Sequence, residues 1–363
     1  MRIVVNLMMS HTNSPDPFRH LDCGTSRKFS VLSEDYLFFS GTDYLGISQN
    51  DDFKSLYIQG IEKWGFNNGT SRNNNVQLNI YPEAEKLIAA NYHAPAALVT
   101  SSGYLAAQLV VQSFFSEKNI LFSPLTHPAI WLNSKPSVEI TSFESWKRDT
   151  IHHINTSPEE KFIIVSNAVD PQQPALLHFE DFSTIDPSKQ VTLIIDDSHG
   201  IGFTRNEGKG VYQTLPQQKN ITNIVVASMA KGLGIRAGLV LSDEATIDQL
   251  RKSGMFIGAS PAAPASMYAY VEAQHIYRHA YQTLQINNQY FREKLTQPFS
   301  CVEELPIYVS ANEQLFGQLK QQKILISSFA YPSASDPLLN RIIINAAHQK
   351  EDIDQLLKAL AIQ

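Results

Sequence analysis

Between about residues 95 and 245, short apolar runs alternate with helix-like stretches. The runs are Ala97–Thr100, Ile120–Phe122, Phe162–Val165, Val191–Ile195, Ile224–Ala227 and Gly238–Leu241, and none of them alternates apolar with polar positions. Strands covered on both faces read this way, so the pattern predicts parallel βα units in a doubly wound α/β sheet. Such sheets bind ligands beyond the carboxyl ends of their strands, which directs attention to the residues just after each run. Residues Pro264–Leu295 carry few breakers and many Ala, Tyr, Gln, Glu and Arg, and predict one long helix leaving the sheet domain. Two strand-like stretches, Glu304–Val309 and Arg341–Asn345, and an amphipathic segment, Glu351–Leu360, predict a small C-terminal α+β domain. The first forty residues, with Pro15 and Pro17 and few periodic positions, read as an arm. The expected division is an arm over 1–45, a large α/β domain over 46–262, and a linking helix with the small domain over 263–363.

Composition narrows the function classes. The chain has 363 residues, 43% of them hydrophobic, and a formal charge of −6. This suits a large globular protein of two domains and excludes fibrous or wholly disordered readings. Mild acidity without a Lys/Arg run gives no electrostatic reason to expect nucleic acid or an anionic membrane as partner. Cys23 and Cys301 match no metal or disulfide pattern and read as two free thiols, with no metal site. The opening Met1–Met9 is too short and too interrupted for a signal peptide, and no run approaches the roughly 18–20 apolar residues of a membrane span. The expected setting is the cytoplasm, and the expected partners are small molecules.

The densest chemical signal lies at two strand ends, Ile194-Ile195-Asp196-Asp197-Ser198-His199-Gly200 and Val225-Val226-Ala227-Ser228-Met229-Ala230-Lys231-Gly232. An acidic residue leaving one buried strand, a His three residues on and a Lys after the next strand suit a pyridoxal phosphate site. That cofactor needs a Lys to form its Schiff base and a carboxylate to keep its pyridine nitrogen protonated. Taken singly these residues are weak signals, since an Asp at a strand end is often a helix cap and a lone Ser-x-x-Lys is uninformative. Gly232, Gly234 and Gly238 imitate a dinucleotide fingerprint, but Gly238 begins another strand-like run where that motif needs a helix. His152 and His153 have no spacing partner and read as solvent-exposed.

The whole constellation resembles the α-oxoamine synthase family of fold-type I pyridoxal phosphate enzymes, from Phe39 to Leu360. Thr42-Asp43-Tyr44-Leu45-Gly46 is similar to the family's Asn-Asp-Tyr-Leu-Gly entry, Gly69-Thr70-Ser71-Arg72 to its Gly-Ser-Arg loop and Ser102-Gly103-Tyr104 to its Ser-Gly-Phe/Tyr turn. His127 stands at the family's ring-stacking His. Asp196-Asp197-Ser198-His199 is similar to its Asp-Glu-Ala-His, Ser228–Lys231 to its Thr-x-x-Lys, and Arg341 with Ala346-Ala347-His348 to its carboxylate-binding Arg and following Ala-Ala-His.

The resemblance implies a fold-type I transferase, with a mostly parallel doubly wound sheet domain and a small C-terminal α+β domain. It implies Lys231, His127, Asp196 and His199 as catalytic residues. Ser102, Gly103 and Tyr104 would hold the phosphate at a helix N-terminus, aided by Ser228 and by Ser260 of the partner subunit in a homodimer with active sites at the subunit interface. His199 would reach the phenolic oxygen of the cofactor. Arg341 would clamp an amino-acid carboxylate, which a guanidinium pairs bidentately, and Thr42, Ser71 and Arg72 would contact substrate. The implied reaction joins a small amino acid to an acyl thioester with loss of carbon dioxide, giving an aminoketone. Alanine with a pimeloyl thioester, the biotin-pathway reaction, is favoured over glycine with acetyl-CoA. An aminotransferase or lyase using the same Lys231 and Asp196 is the alternative. The chain departs from the family at Asn73-Asn74-Asn75-Val76, where a Gly is missing, at Ser166–Gln173, where Ser-Met-Asp-Gly is unrecognisable, and at Pro128-Ala129, where a hydroxyl is lost.

Overall fold

A computed structural model describes residues 16–115, 119–139, 141–330 and 338–362. The opening segment Met1–Met9 lies outside the described residues. In chain order the strands are β1 (Lys28–Val31), β2 (Glu34–Phe39), β3 (Ala96–Thr100), β4 (Ile120–Phe122), β5 (Lys161–Asn167), β6 (Val169–Asp170), β7 (Ala175–Leu176), β8 (Gln190–Asp196), β9 (Ile221–Ser228), β10 (Gly238–Ser242), β11 (Ile307–Ser310), β12 (Ile324–Ala330) and β13 (Leu338–Ile343). The helices are α1 (Asp51–Trp64), α2 (Ile80–Asn91), α3 (Gly103–Phe114), α4 (Phe143–Thr156), α5 (Glu244–Arg251), α6 (Gly254–Gly258), α7 (Pro264–Glu272), α8 (Gln274–Lys294), α9 (Leu315–Gln321) and α10 (Lys350–Ala361).

The larger sheet runs β3, β10, β9, β8, β5, β4, with β10 antiparallel to both neighbours and the rest parallel. Alternate residues of each strand enter different cores. In β8, Val191, Leu193 and Ile195 pack on the side that holds residues of α2 and α7, while Ile194 packs with Val110 of α3 and Leu250 of α5. Both faces are buried, which explains why the runs show no polar alternation. Because five strands are parallel, Ser102, Asn167, Asp196 and Ser228 all emerge at or just beyond one edge of this sheet. Gly238 opens β10 at the same edge, opposite Thr100 and Ser228. A Cβ at Gly238 would lie 2.1 Å from the carbonyl oxygen of Ser102, so the chains approach there as only Gly permits.

The second sheet runs β1, β2, β12, β13, β11 and packs against α8, α9 and α10. Two expectations are corrected here. The segment expected as an N-terminal arm over 1–45 supplies β1 and β2, and β2 pairs in parallel with β12 from the other end of the chain. Phe29, Val31 and Tyr36 bury one face of this sheet with Leu325, while Leu37 and Phe39 face the other core. The single helix expected over Pro264–Leu295 is two, separated at the buried Ala273, and α7 packs between α1 and α2 in the larger domain. Past residue 262 the chain thus still packs with helices of the larger sheet. Among the described residues no helix is long and apolar enough to cross a membrane.

Candidate active site

One cavity lies between the strand edge of the larger sheet and the second sheet. Its walls include Thr42, His127, Asp196, His199, Lys231 and Arg341. It thus collects, from five separate segments, four residues expected to be catalytic and two expected to bind substrate.

Lys231 sits in the turn after β9, with Nζ 3.0 Å from Nε2 of His199. Burial depresses its pKa below the ordinary lysine value, Asp196 opposes that shift, and the Arg341 guanidinium adds to it. His199 lies half-buried three residues beyond β8, and Nδ1 lies 2.8 Å from the Tyr44 hydroxyl. Its pKa is held well below the usual histidine value, first by burial and then by the charges of Lys231 and Arg341, so the ring is neutral at pH 7. Asp196 ends β8 with its carboxylate buried, and Oδ1 accepts the Ser198 N–H at 2.9 Å.

His127 caps the short turn Pro128–Ile130, Nδ1 accepting the Ala129 N–H at 3.1 Å. The proton of its neutral ring therefore resides on Nε2. Burial lowers its pKa, with Asp196 opposing. Its backbone N–H donates to Oδ1 of Asn167 at 3.1 Å, and Asn167 Nδ2 donates to the carbonyl of Leu125 at 2.8 Å. Leu125 is in the left-handed region at φ +60°, a strained conformation for a branched side chain, and the Asn167 amide braces that turn from both ends.

Arg341 projects from β13 and is buried. Its Nη1 donates to the Pro171 carbonyl at 3.4 Å, its guanidinium lies 5.5 Å from the Phe329 ring centre, and Nε is buried with no hydrogen-bond partner among the described residues. An oriented, incompletely satisfied guanidinium is a receptor for a planar anion such as a carboxylate.

The remaining sequence-predicted residues divide. Ser102 caps α3, its Oγ accepting the Leu105 N–H at 3.1 Å, and Gly103 is pressed against Ser228 so closely that a Cβ would lie 2.5 Å from that side chain. Ser102, Gly103, the exposed Tyr104 and Ser228 stand beside the cavity and are not among its lining residues. The first N–H groups of α3 and the Ser228 hydroxyl form a donor cluster of the kind that accepts phosphate. Ser71 and Ser260 line a separate, polar cavity together with Asn67 and Thr70.

Arg72 is corrected. It pairs through both guanidinium nitrogens with the buried Glu85, which also accepts from Arg251 Nη2 at 2.7 Å and from the Val99 N–H at 2.9 Å, and it packs on Tyr81 and Phe256. Its charge is satisfied in the scaffold, and Arg72 lines neither cavity.

Sequence reasoning missed several lining residues. Phe329 and Leu339 belong to β12 and β13, the first of which was not expected as a strand. Asn167 could have been found as the polar residue ending a buried strand, in register with Asp196. Tyr44 lay within the quoted entry motif. Asp197, also missed, is fully enclosed, with Oδ2 accepting the Val211 N–H at 2.8 Å, and burial pushes its pKa up to about 7.

The family model described as "Aminotransferase class I and II" matches residues 34–360. An 8-amino-7-oxononanoate synthase of Serratia proteamaculans is 27% identical over 353 residues, spanning 93% of this chain and 91% of that protein. A serine palmitoyltransferase from S. paucimobilis, solved with PLP and myriocin bound, is similar in structure with a TM-score of 0.79 at 16% identity, over 96% of this chain and 92% of that one. An 8-amino-7-oxononanoate synthase from Francisella tularensis gives a TM-score of 0.66 at 20% identity, over 90% of this chain and 97% of that one.

Proposed function

The chain belongs to the class I and II aminotransferase family, among its α-oxoamine synthases of fold type I that work with pyridoxal 5'-phosphate, and from this premise we propose that it joins alanine to an acyl thioester. The reaction releases carbon dioxide and free thiol and leaves an aminoketone. The observation that carries the reading is that Lys231, Asp196 and the incompletely satisfied Arg341 line one cavity. The names of the curated relatives support a pimeloyl group as the acyl chain.

The residues present fit the cofactor. An amine with depressed pKa, a buried carboxylate and a histidine ring surround the cavity, and the close Gly103–Ser228 approach sets the Ser228 hydroxyl beside the first N–H groups of α3. Lys231 would anchor the cofactor, Asp196 would hold its ring nitrogen, His127 would lie against its ring, and Ser228 with the first N–H groups of α3 would hold its phosphate. When bound, the cofactor supplies an electron-withdrawing ring that stabilises negative charge at the amino-acid Cα.

Arg341 orients the substrate by its carboxylate, and a guanidinium fixes that group in two directions where an ammonium fixes it in one. Lys231, already biased toward the free amine, accepts the Cα proton near neutral pH. Leu125, Val169, Phe329 and Leu339 line the cavity and exclude water from the reacting carbon. The reading includes a homodimer in the cytoplasm. The polar cavity that joins Ser71 and Ser260, apart from Lys231 of the same chain, supports a role for Ser260 at the site of the other subunit.

The test is thiol release from pimeloyl, acetyl and longer acyl thioesters, each with alanine, glycine and serine. Alanine with a pimeloyl thioester is expected to give the highest kcat/KM. Amino-group exchange with a 2-oxo acid and no thiol from any pair would replace this reading with an aminotransferase.

A further inference from the structure

Three polar groups form a chain through the floor of the cavity. The Tyr44 hydroxyl is 2.8 Å from Nδ1 of His199, and Nε2 of the same ring is 3.0 Å from Nζ of Lys231. Tyr44 is fully buried, its ring lies 4.2 Å from that of Phe203, and its carbonyl accepts the Ala346 N–H at 3.0 Å, so it cannot turn away.

Hydrogen counting decides how protons are arranged along this chain. The only hydrogen-bond partner of the Tyr44 hydroxyl among the described residues is Nδ1 of His199. If Nδ1 carried the ring proton, the phenolic hydrogen would be buried without an acceptor, a costly arrangement. Satisfying it requires Tyr44 to donate to Nδ1. A neutral imidazole then has its one proton on Nε2, directed at Lys231. For that contact to be a hydrogen bond, Nζ must accept, which an amine does and an ammonium does not. The charged and titratable groups facing this chain are Asp196 on β8, Arg341 on β13 and His127 ahead of the Pro128–Ile130 turn. Arg341 and burial favour the amine, and Asp196 opposes them.

We propose that Tyr44 is a positioning residue that fixes His199 as its Nε2–H tautomer and thereby holds Lys231 as a free amine. This rests on Lys231 being the cofactor-anchoring group. The same arrangement leaves a fixed donor, Nε2–H, aimed into the cavity once Lys231 is engaged.

The test begins on the cofactor-free protein with nitrogen-15-labelled histidine, His199 being assigned by loss of its signals in His199→Asn. Wild type is expected to show the Nε2–H tautomer across pH 6–9, and Tyr44→Phe a mixture or the Nδ1–H form. In a second measurement, uptake of pyridoxal phosphate is followed by absorbance against pH. Tyr44→Phe is expected to move that profile upward by about one unit, which is a roughly tenfold slower uptake at a fixed pH on its rising limb. In the His199→Asn background the same substitution should produce no further shift, because the coupling runs through the imidazole. An Nδ1–H tautomer in wild type overturns the proposal, as does a Tyr44→Phe protein that melts earlier but keeps the wild-type profile. If the protein takes up no cofactor, the cofactor reading fails on its own, and the tautomer measurement still decides the role of Tyr44.

Discussion

Arg341 owes its position to neighbours far from it in sequence, since Val309 and Ser327 flank it across β11 and β12 and Pro171 meets it from the larger domain. Replacement by Lys keeps the charge and loses the fork. Steady-state kinetics of Arg341→Lys should show the amino-acid KM raised about 10–100-fold, with a smaller change in kcat. An unchanged KM would show that the carboxylate binds elsewhere. Lys231, Asp196 and His199 were legible because each follows a buried strand within a few residues of Gly or a second polar group. Arg72 was misread because its partner, Glu85, lies a helix away, and nothing local distinguishes a guanidinium that pairs with the scaffold from one that waits for substrate. Tyr44 was legible as motif and silent as chemistry, since its meaning depends on a contact with His199, 155 positions on.

At the scale of elements, one ring helps tie the hairpin of β1 and β2 to the C-terminal segment. Nδ1 of His348 accepts the Asn345 N–H at 3.0 Å, Nε2 donates to the Phe38 carbonyl at 3.0 Å, and the ring stacks on Phe39 at 4.0 Å. Burial lowers the His348 pKa to about 4, against about 6.5 in the unfolded chain. The folded state thus binds this proton more weakly, so the stability His348 contributes is full above about pH 6.5 and is lost as pH falls toward 4. Thermal melts should show wild type losing more stability between pH 7 and pH 4.5 than His348→Asn, by on the order of 1–3 kcal/mol. Equal losses would remove His348 as the acid-sensitive tie. This hairpin was not legible because Leu32 and Ser33 make its turn at φ +51° and +67°, where Asn and Gly are the usual signals. The break at Ala273 was hidden for the opposite reason. Helix-favouring residues continue on both sides, and packing of α7 against α1 and α2 decides the matter.

Across the whole molecule, the larger sheet could be read because local apolar runs suffice to specify buried parallel strands. The second sheet could be read only in part: β11 and β13 were expected, but β2 near one end of the chain pairs with β12 near the other, and no window of sequence contains both. The cavity lies where the two meet, with Lys231 and Asp196 from one and Arg341 from the other. On the proposed reading, an amino acid bound there would be held from both sheets at once, its carboxylate by Arg341 of the second and its reacting carbon beside Lys231 of the first. The proposed reaction couples decarboxylation to acyl transfer, and that coupling can be read in a single assay. With alanine labelled at its carboxyl carbon and a pimeloyl thioester, labelled carbon dioxide and free thiol should appear one for one, and both should vanish in Lys231→Ala. Labelled carbon dioxide without thiol, or pyruvate with the label retained, would contradict the account.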